Sequence, residues 1–204
     1  MAGTNSNYQT SEGERTGNIE KLATAPDITL DGNAYRGKYE LNKKSIVGFL
    51  KNTLRKEVFQ NNHMPDPIRL GGKGIDKLIG YGLNNDAYKK LFVHIPEIIK
   101  NAVFITDEIP TRADTPYNIY RHLVTGIALD GEPYTIHVIL GENSGVWYYD
   151  HILSKIEKGR LLSVIRQSTP GHPVVSPSSI KDTTLLRILQ APLQEKNLKG
   201  DTYG

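Results

Sequence analysis

Two strand-like runs flank a dipeptide that admits very few chain paths. Ile119 to Ala128 and Pro133 to Leu140 read as strands, joined by Leu129-Asp130-Gly131-Glu132. Asp-Gly suits a two-residue turn with positive φ at both central positions, so the runs pair as an antiparallel hairpin. With that turn fixed, Val124 falls opposite His137 and His122 opposite Ile139. Side chains alternate across a strand. His122, His137, Thr135 and Tyr120 therefore share one face, and Leu123, Ile127, Tyr134, Ile136, Val138 and Leu140 line the other, the core face.

Further strands are expected on both sides of the hairpin: Val103-Phe104-Ile105-Thr106 before it, and Val146 to Leu153 after a five-residue loop, Gly141 to Gly145. Helices precede them. Asn42 can cap a helix whose Ile46, Leu50, Leu54 and Val58 recur every four residues. Asn61 to Pro67 reads as a turn and Ile68-Arg69-Leu70 as a short strand, and Gly71-Gly72-Lys73-Gly74 leads into a short helix. A longer helix from Asp86 to Asn101 must break or restart at Pro96, which has no N–H to give. The expected fold is α+β, with N-terminal helices packed on a three- to four-stranded antiparallel meander. Residues 1–34 read as a flexible leader or linker and 35–166 as the folded domain. Residues 167–204 read as an extended C-terminal segment that docks on it through Leu185 to Leu189.

The chain has no cysteine, which removes thiolate nucleophiles, disulfides and Cys-ligated zinc from consideration. No HExxH, H-x-H or EF-hand spacing occurs, so neither metal nor cofactor is expected. A net charge of +3 suits an anionic partner such as RNA but falls short of a dedicated nucleic-acid coat. The longest apolar runs are a few residues, far below a membrane span, and no signal pattern opens the chain. The expectation is a cytoplasmic location in a producing or target cell, with no membrane partner.

Val146-Trp147-Tyr148-Tyr149-Asp150-His151 concentrates proton-handling groups on one strand. Alternation sends Tyr148 and Asp150 one way and Trp147, Tyr149 and His151 the other. A one-residue shift in register decides whether Asp150 or His151 joins His122 and His137. Two imidazoles, or one imidazole with a tyrosine and a cation, suffice for metal-independent RNA cleavage. One group takes the 2′-hydroxyl proton, another protonates the leaving oxygen, and a cation holds the phosphorane charge. Arg121, Lys73, Lys77, Lys155 and Lys158 are the candidate cations. The basic residues Lys43, Lys44, Lys51, Arg55 and Lys56 read as the solvated side of a helix, with contact to phosphate as the alternative.

Three segments in order carry a resemblance: His94-Ile95-Pro96-Glu97-Ile98-Ile99-Lys100-Asn101-Ala102; Gly126 through Asp130-Gly131 to Tyr134-Thr135; and Tyr148-Tyr149-Asp150-His151 with Leu153 and Ile156-Glu157-Lys158-Gly159. With Lys181-Asp182-Thr183-Thr184-Leu185-Leu186 near the end, they make residues 35–190 similar to the large polyvalent protein-associated domains of phages and conjugative elements, particularly Bacteroides-like versions. Such domains are related in layout to barnase–EndoU–colicin–RelE-like nuclease domains. The resemblance implies a nuclease-like domain of a toxin tip; joined to the residue chemistry above, the expectation is a metal-independent endoribonuclease-like toxin or effector, with RNA as substrate and an acidic immunity or host protein as partner. It also admits a non-catalytic protein-interaction module of a polyvalent protein. Position by position it carries Tyr148, Tyr149, Asp150 and His151, whereas His122 and His137 fall where the family pattern needs no histidine.

Overall fold

The Asp130-Gly131 turn folds as its sequence requires, with φ of 52° and 85°. The computed structural model describes residues 9–111, 115–151 and 156–158, with Leu185, Ile188 and Leu189; Tyr81, Asp150, His151 and residues 156–158 are described by backbone alone. In chain order the elements are α1 (Glu12–Thr24), β1 (Ile28–Leu30), α2 (Lys43–Asn52), β2 (Val58–Asn61), β3 (Met64–Arg69), α3 (Gly72–Gly82) and α4 (Asp86–Leu91). They continue with α5 (Ile95–Asn101), β4 (Val103–Glu108), β5 (Ile119–Leu129), β6 (Glu132–Asn143), β7 (Val146–His151) and β8 (Ile156–Lys158).

The class is α+β, but the sheet is larger than expected and not purely antiparallel. Among the described residues eight strands join it: β1-β5-β6-β7-β3-β2 in order, with β4 also on β5 and β8 also on β6. The β5–β6 hairpin has the expected register, Val124 opposite His137 and His122 opposite Ile139. Parallel pairings of β1 with β5 and of β3 with β7 extend the meander at both edges. A strand of three residues such as β1, paired to a distant partner, leaves no periodicity for a sequence reading to catch.

The expected five-residue loop is instead a two-residue turn. Strand β6 runs on to Asn143, which pairs with Val146, and Ser144 and Gly145 turn the chain at φ 54° and 78°. The serine hides a turn that Asn or Asp would have advertised. On the other side of this hairpin the register shifts: Leu140 faces Tyr149, yet Ile139 faces His151. Asp150 is thus the extra residue of a bulge.

Local signals explain the helices. Asn42 Oδ1 accepts from Ser45 N–H at 2.9 Å, capping α2. Ile46, Leu50 and Leu54 are buried as the four-residue spacing predicts. Val58 is not on that helix: after a 3₁₀ turn at Leu54–Lys56 it opens β2 and is 45% exposed. Pro96 sits in the first turn of α5, where its missing N–H costs nothing, and a 3₁₀ turn separates α4 from α5.

The main core lies between α2–α5 and one face of the sheet. Leu123, Ile127, Ile136, Val138, Leu140, Trp147 and Tyr149 face Ile46, Leu50, Ile75, Leu78, Phe92, Ile95 and Ile98. Each such side chain contributes about 1.5–3 kcal/mol on burial. A smaller cluster covers part of the far face, where Ile19 and Leu22 of α1 meet Val103, Ile105, Val124, Leu185, Ile188 and Leu189. Residues 12–24, inside the segment read as a leader, therefore form a docked helix. Ser11 accepts from Glu14 N–H at its start, and the Asn18 amide donates to the Ile105 carbonyl at 3.2 Å.

Gly74 fixes how α3 meets the sheet. A Cβ there would overlap the main-chain oxygen of Tyr149, and backbone cannot swing aside as a side chain can. Gly74→Ala is expected to lower stability by about 2 kcal/mol. A urea midpoint equal to that of the wild type would contradict this close approach.

Candidate functional site

The far face carries the polar chemistry. Partners directly opposite in a sheet share a face, so the pairings trace one row across six strands: Val58, Arg69, Tyr148, Gly141, Tyr120 and Glu108. The next row on that face places Thr106, His122, Ile139 and the backbone of His151 side by side. The Asp150 bulge is what brings His151, and not Asp150, to that register position.

At the centre, three side chains form a hydrogen-bonded line. Glu108 Oε2 lies 3.0 Å from His122 Nε2, and His122 Nδ1 lies 2.9 Å from His137 Nε2. The two imidazoles also stack, with centroids 5.1 Å apart. His122 is 2% exposed and His137 fully buried, while the Glu108 side chain keeps 17% of its surface. With Glu108 ionised, His122 Nε2–H donates to it. Nδ1 then either accepts from His137 or, once protonated, donates to it. The line can therefore take up one proton without losing a hydrogen bond, the requirement for a group that passes protons. Geometry alone gives it that capacity.

Half-buried aromatics flank the carboxylate. The Tyr117 ring lies over Gly141, where a Cβ would collide with it, and meets Tyr120 edge-on at 5.6 Å. Tyr120 Oη and Thr115 Oγ1 share a hydrogen bond of 2.7 Å. Tyr148 stands in the same row with its ring against Gly71.

The residues singled out in the sequence separate into distinct places. His122, His137 and Tyr148 share the far face. Tyr149 is fully buried in the main core on the opposite face. Arg121 is also on that opposite face: its guanidinium donates twice to Asp107, at 2.7 and 2.6 Å, between the rings of Phe104 and Trp147. Lys73 is exposed and Lys77 half-buried on α3. The side chains of Asp150, His151 and Lys158, and all of Lys155, lie outside the described residues. Glu108 was not anticipated, because the strand was read as ending at Thr106. A bulge between Phe104 and Thr106 turns Thr106 and Glu108 to the His122 face, and simple alternation along the strand does not reveal it. Among the described residues, no group of His, Asp and Glu could hold a metal ion, and no helix is long and apolar enough to cross a membrane.

A family model described as large polyvalent protein-associated domain 3 matches residues 37–149, more than half of the chain. The match spans the whole row from Val58 to Glu108 and both histidines of the hydrogen-bonded line, and it ends within the Tyr148 to His151 motif. No curated protein and no solved structure matches.

Proposed function

The chain belongs to the family of large polyvalent protein-associated domain 3, and from that premise we propose that its far sheet face binds single-stranded RNA and cleaves it without metal. The observation that supports the reading is the Glu108–His122–His137 line, set at the end of a partly open row of tyrosines. Glu108 takes the proton of the 2′-hydroxyl on its second carboxylate oxygen, while the hydrogen bond from His122 Nε2–H, itself backed by His137, holds the carboxylate in place. The 2′-oxygen attacks phosphorus, the bond to the 5′-oxygen breaks, and a second group protonates that oxygen. His151, on the adjoining row by register, is the candidate donor, and Asp150 beside it the candidate orienting group. The products are a 2′,3′-cyclic phosphate and a 5′-hydroxyl. In a polyvalent protein of a mobile element such a domain would act as an effector against RNA, the role an acidic immunity protein would oppose.

Burial of His122 and His137 favours a second reading, in which the same line only rigidifies the sheet and the face holds a protein partner. Total RNA incubated with the wild-type chain in EDTA separates the two. Discrete fragments support cleavage, and intact RNA at micromolar protein moves the assignment to the binding module. His151→Ala in the same assay tests that residue alone: undiminished cleavage removes it from the mechanism.

Stacking gives a further expectation. Tyr148→Ala should weaken binding of a 2′-O-methyl oligouridine by about 1–3 kcal/mol, the worth of one base on an aromatic ring. Fluorescence anisotropy checks it, and unchanged affinity would mean that no base sits on Tyr148.

A further inference from the structure

We propose that the β2–β3 edge of the sheet is a phosphate track that carries the flank of a single-stranded RNA chain across the strands, away from Glu108 and out past Arg69. This rests on the RNA reading above and adds to it where the polynucleotide runs. The far-face row leads from Tyr120 through Gly141 and Tyr148 to Arg69 and Val58. At about 4.8 Å per strand, Tyr120 and Arg69 are roughly 14 Å apart, a span that a dinucleotide does not fill.

Cations gather where the row reaches the edge. Arg69 is exposed, and its cross-strand partner Val58 is one of the large apolar side chains left open, at 45%. Lys56 closes the 3₁₀ turn two residues before Val58, with Arg55 in the same turn and Lys51 at the end of α2; Lys73 follows Arg69 in the first turn of α3, whose N-cap Gly71 lies against Tyr148. All five are exposed, and none makes an ion pair with a described residue. Glu57 and Asp76 are the exposed acids of the same stretch, so positive charge is in excess. By contrast Arg121, the cation nearest the proton-transfer line in sequence, is bound to Asp107 on the other face.

Unpaired cations around an exposed valine and a half-buried tyrosine suit a flexible polyanion with stacking faces. An acidic protein surface would meet the same charge, but would gain nothing from the row of tyrosine rings that continues it. The ligand chemistry is therefore phosphodiester with bases, read without sequence preference.

The test is binding of a non-cleavable 2′-O-methyl oligouridine across a salt series, with the full chain. Lys56→Ala/Arg69→Ala should bind about tenfold more weakly at low salt, and the slope of log affinity against log salt should fall by about 1.4, two phosphate contacts. Lys43→Ala/Lys44→Ala, at the other end of α2, should leave both unchanged. Equal loss in the two double variants, or none in the first, overturns the track. Thermal melts confirm that these exposed substitutions leave the fold intact. The outcomes also separate the two claims. Track-dependent binding without RNA cleavage keeps the track and removes the ribonuclease reading. Cleavage that ignores Lys56 and Arg69 keeps the ribonuclease and removes the track, and no binding by wild type removes both.

Discussion

Glu108→Gln is expected to slow RNA cleavage by about a hundredfold or more, while the protein stays folded. The amide keeps an oxygen that can accept from His122 Nε2–H, so the 3.0 Å contact and the packing around it survive. What disappears is the negative charge and the ability to take a proton. General-base contributions of this kind are worth about 10²–10⁴ in rate. His122→Asn interrupts the same line one step further in, and its loss should approach that of Glu108→Gln, because the two residues act as a unit. The double variant should then be little worse than either single one. Full activity in Glu108→Gln, with activity lost only in variants of the 150–151 pair, would move the chemistry onto β7.

The second large effect is on stability. Asp107→Ala should cost about 3 kcal/mol, since it strands the Arg121 guanidinium between Phe104 and Trp147 with both hydrogen bonds gone. Arg121→Met should cost much less: it removes the charge together with its need for a partner and leaves an unbranched chain between the rings. Denaturant midpoints of the two variants settle the order, and equal losses would contradict the clamp. Arg121→Met should also cleave RNA at the wild-type rate per folded molecule. A selective loss of cleavage in that variant would instead return Arg121 to the role of a substrate cation.

Where the chain gives strong local instructions, the sequence was enough. Asp130-Gly131 dictated a register, and from that register came the shared face of His122 and His137. Asn42 dictated a helix start and Pro96 a restart. The misses have one physical origin, namely pairing with distant partners. Strand β1 has three residues, and its parallel neighbour β5 defines it. Helix α1 carries Gly13 and Gly17 and few apolar residues, so only its docking on β4 makes it visible. Glu108 became part of the site because β4 runs two residues beyond its apolar stretch. The Asp150 bulge, which settles the position of His151, depends on how β7 lies between β6 and β3, and no property of Tyr148-Tyr149-Asp150-His151 itself encodes it.

The row of rings, the carboxylate at its end and the imidazole pair behind it form the face proposed to move protons close to a stacked base. The most direct measurement is the chemistry of the new ends left on RNA by wild type and by Glu108→Gln in EDTA. The account predicts 2′,3′-cyclic phosphate and 5′-hydroxyl ends with wild type and almost none with the variant. RNA left intact by the wild type, or cut only when a divalent cation is supplied, would contradict it.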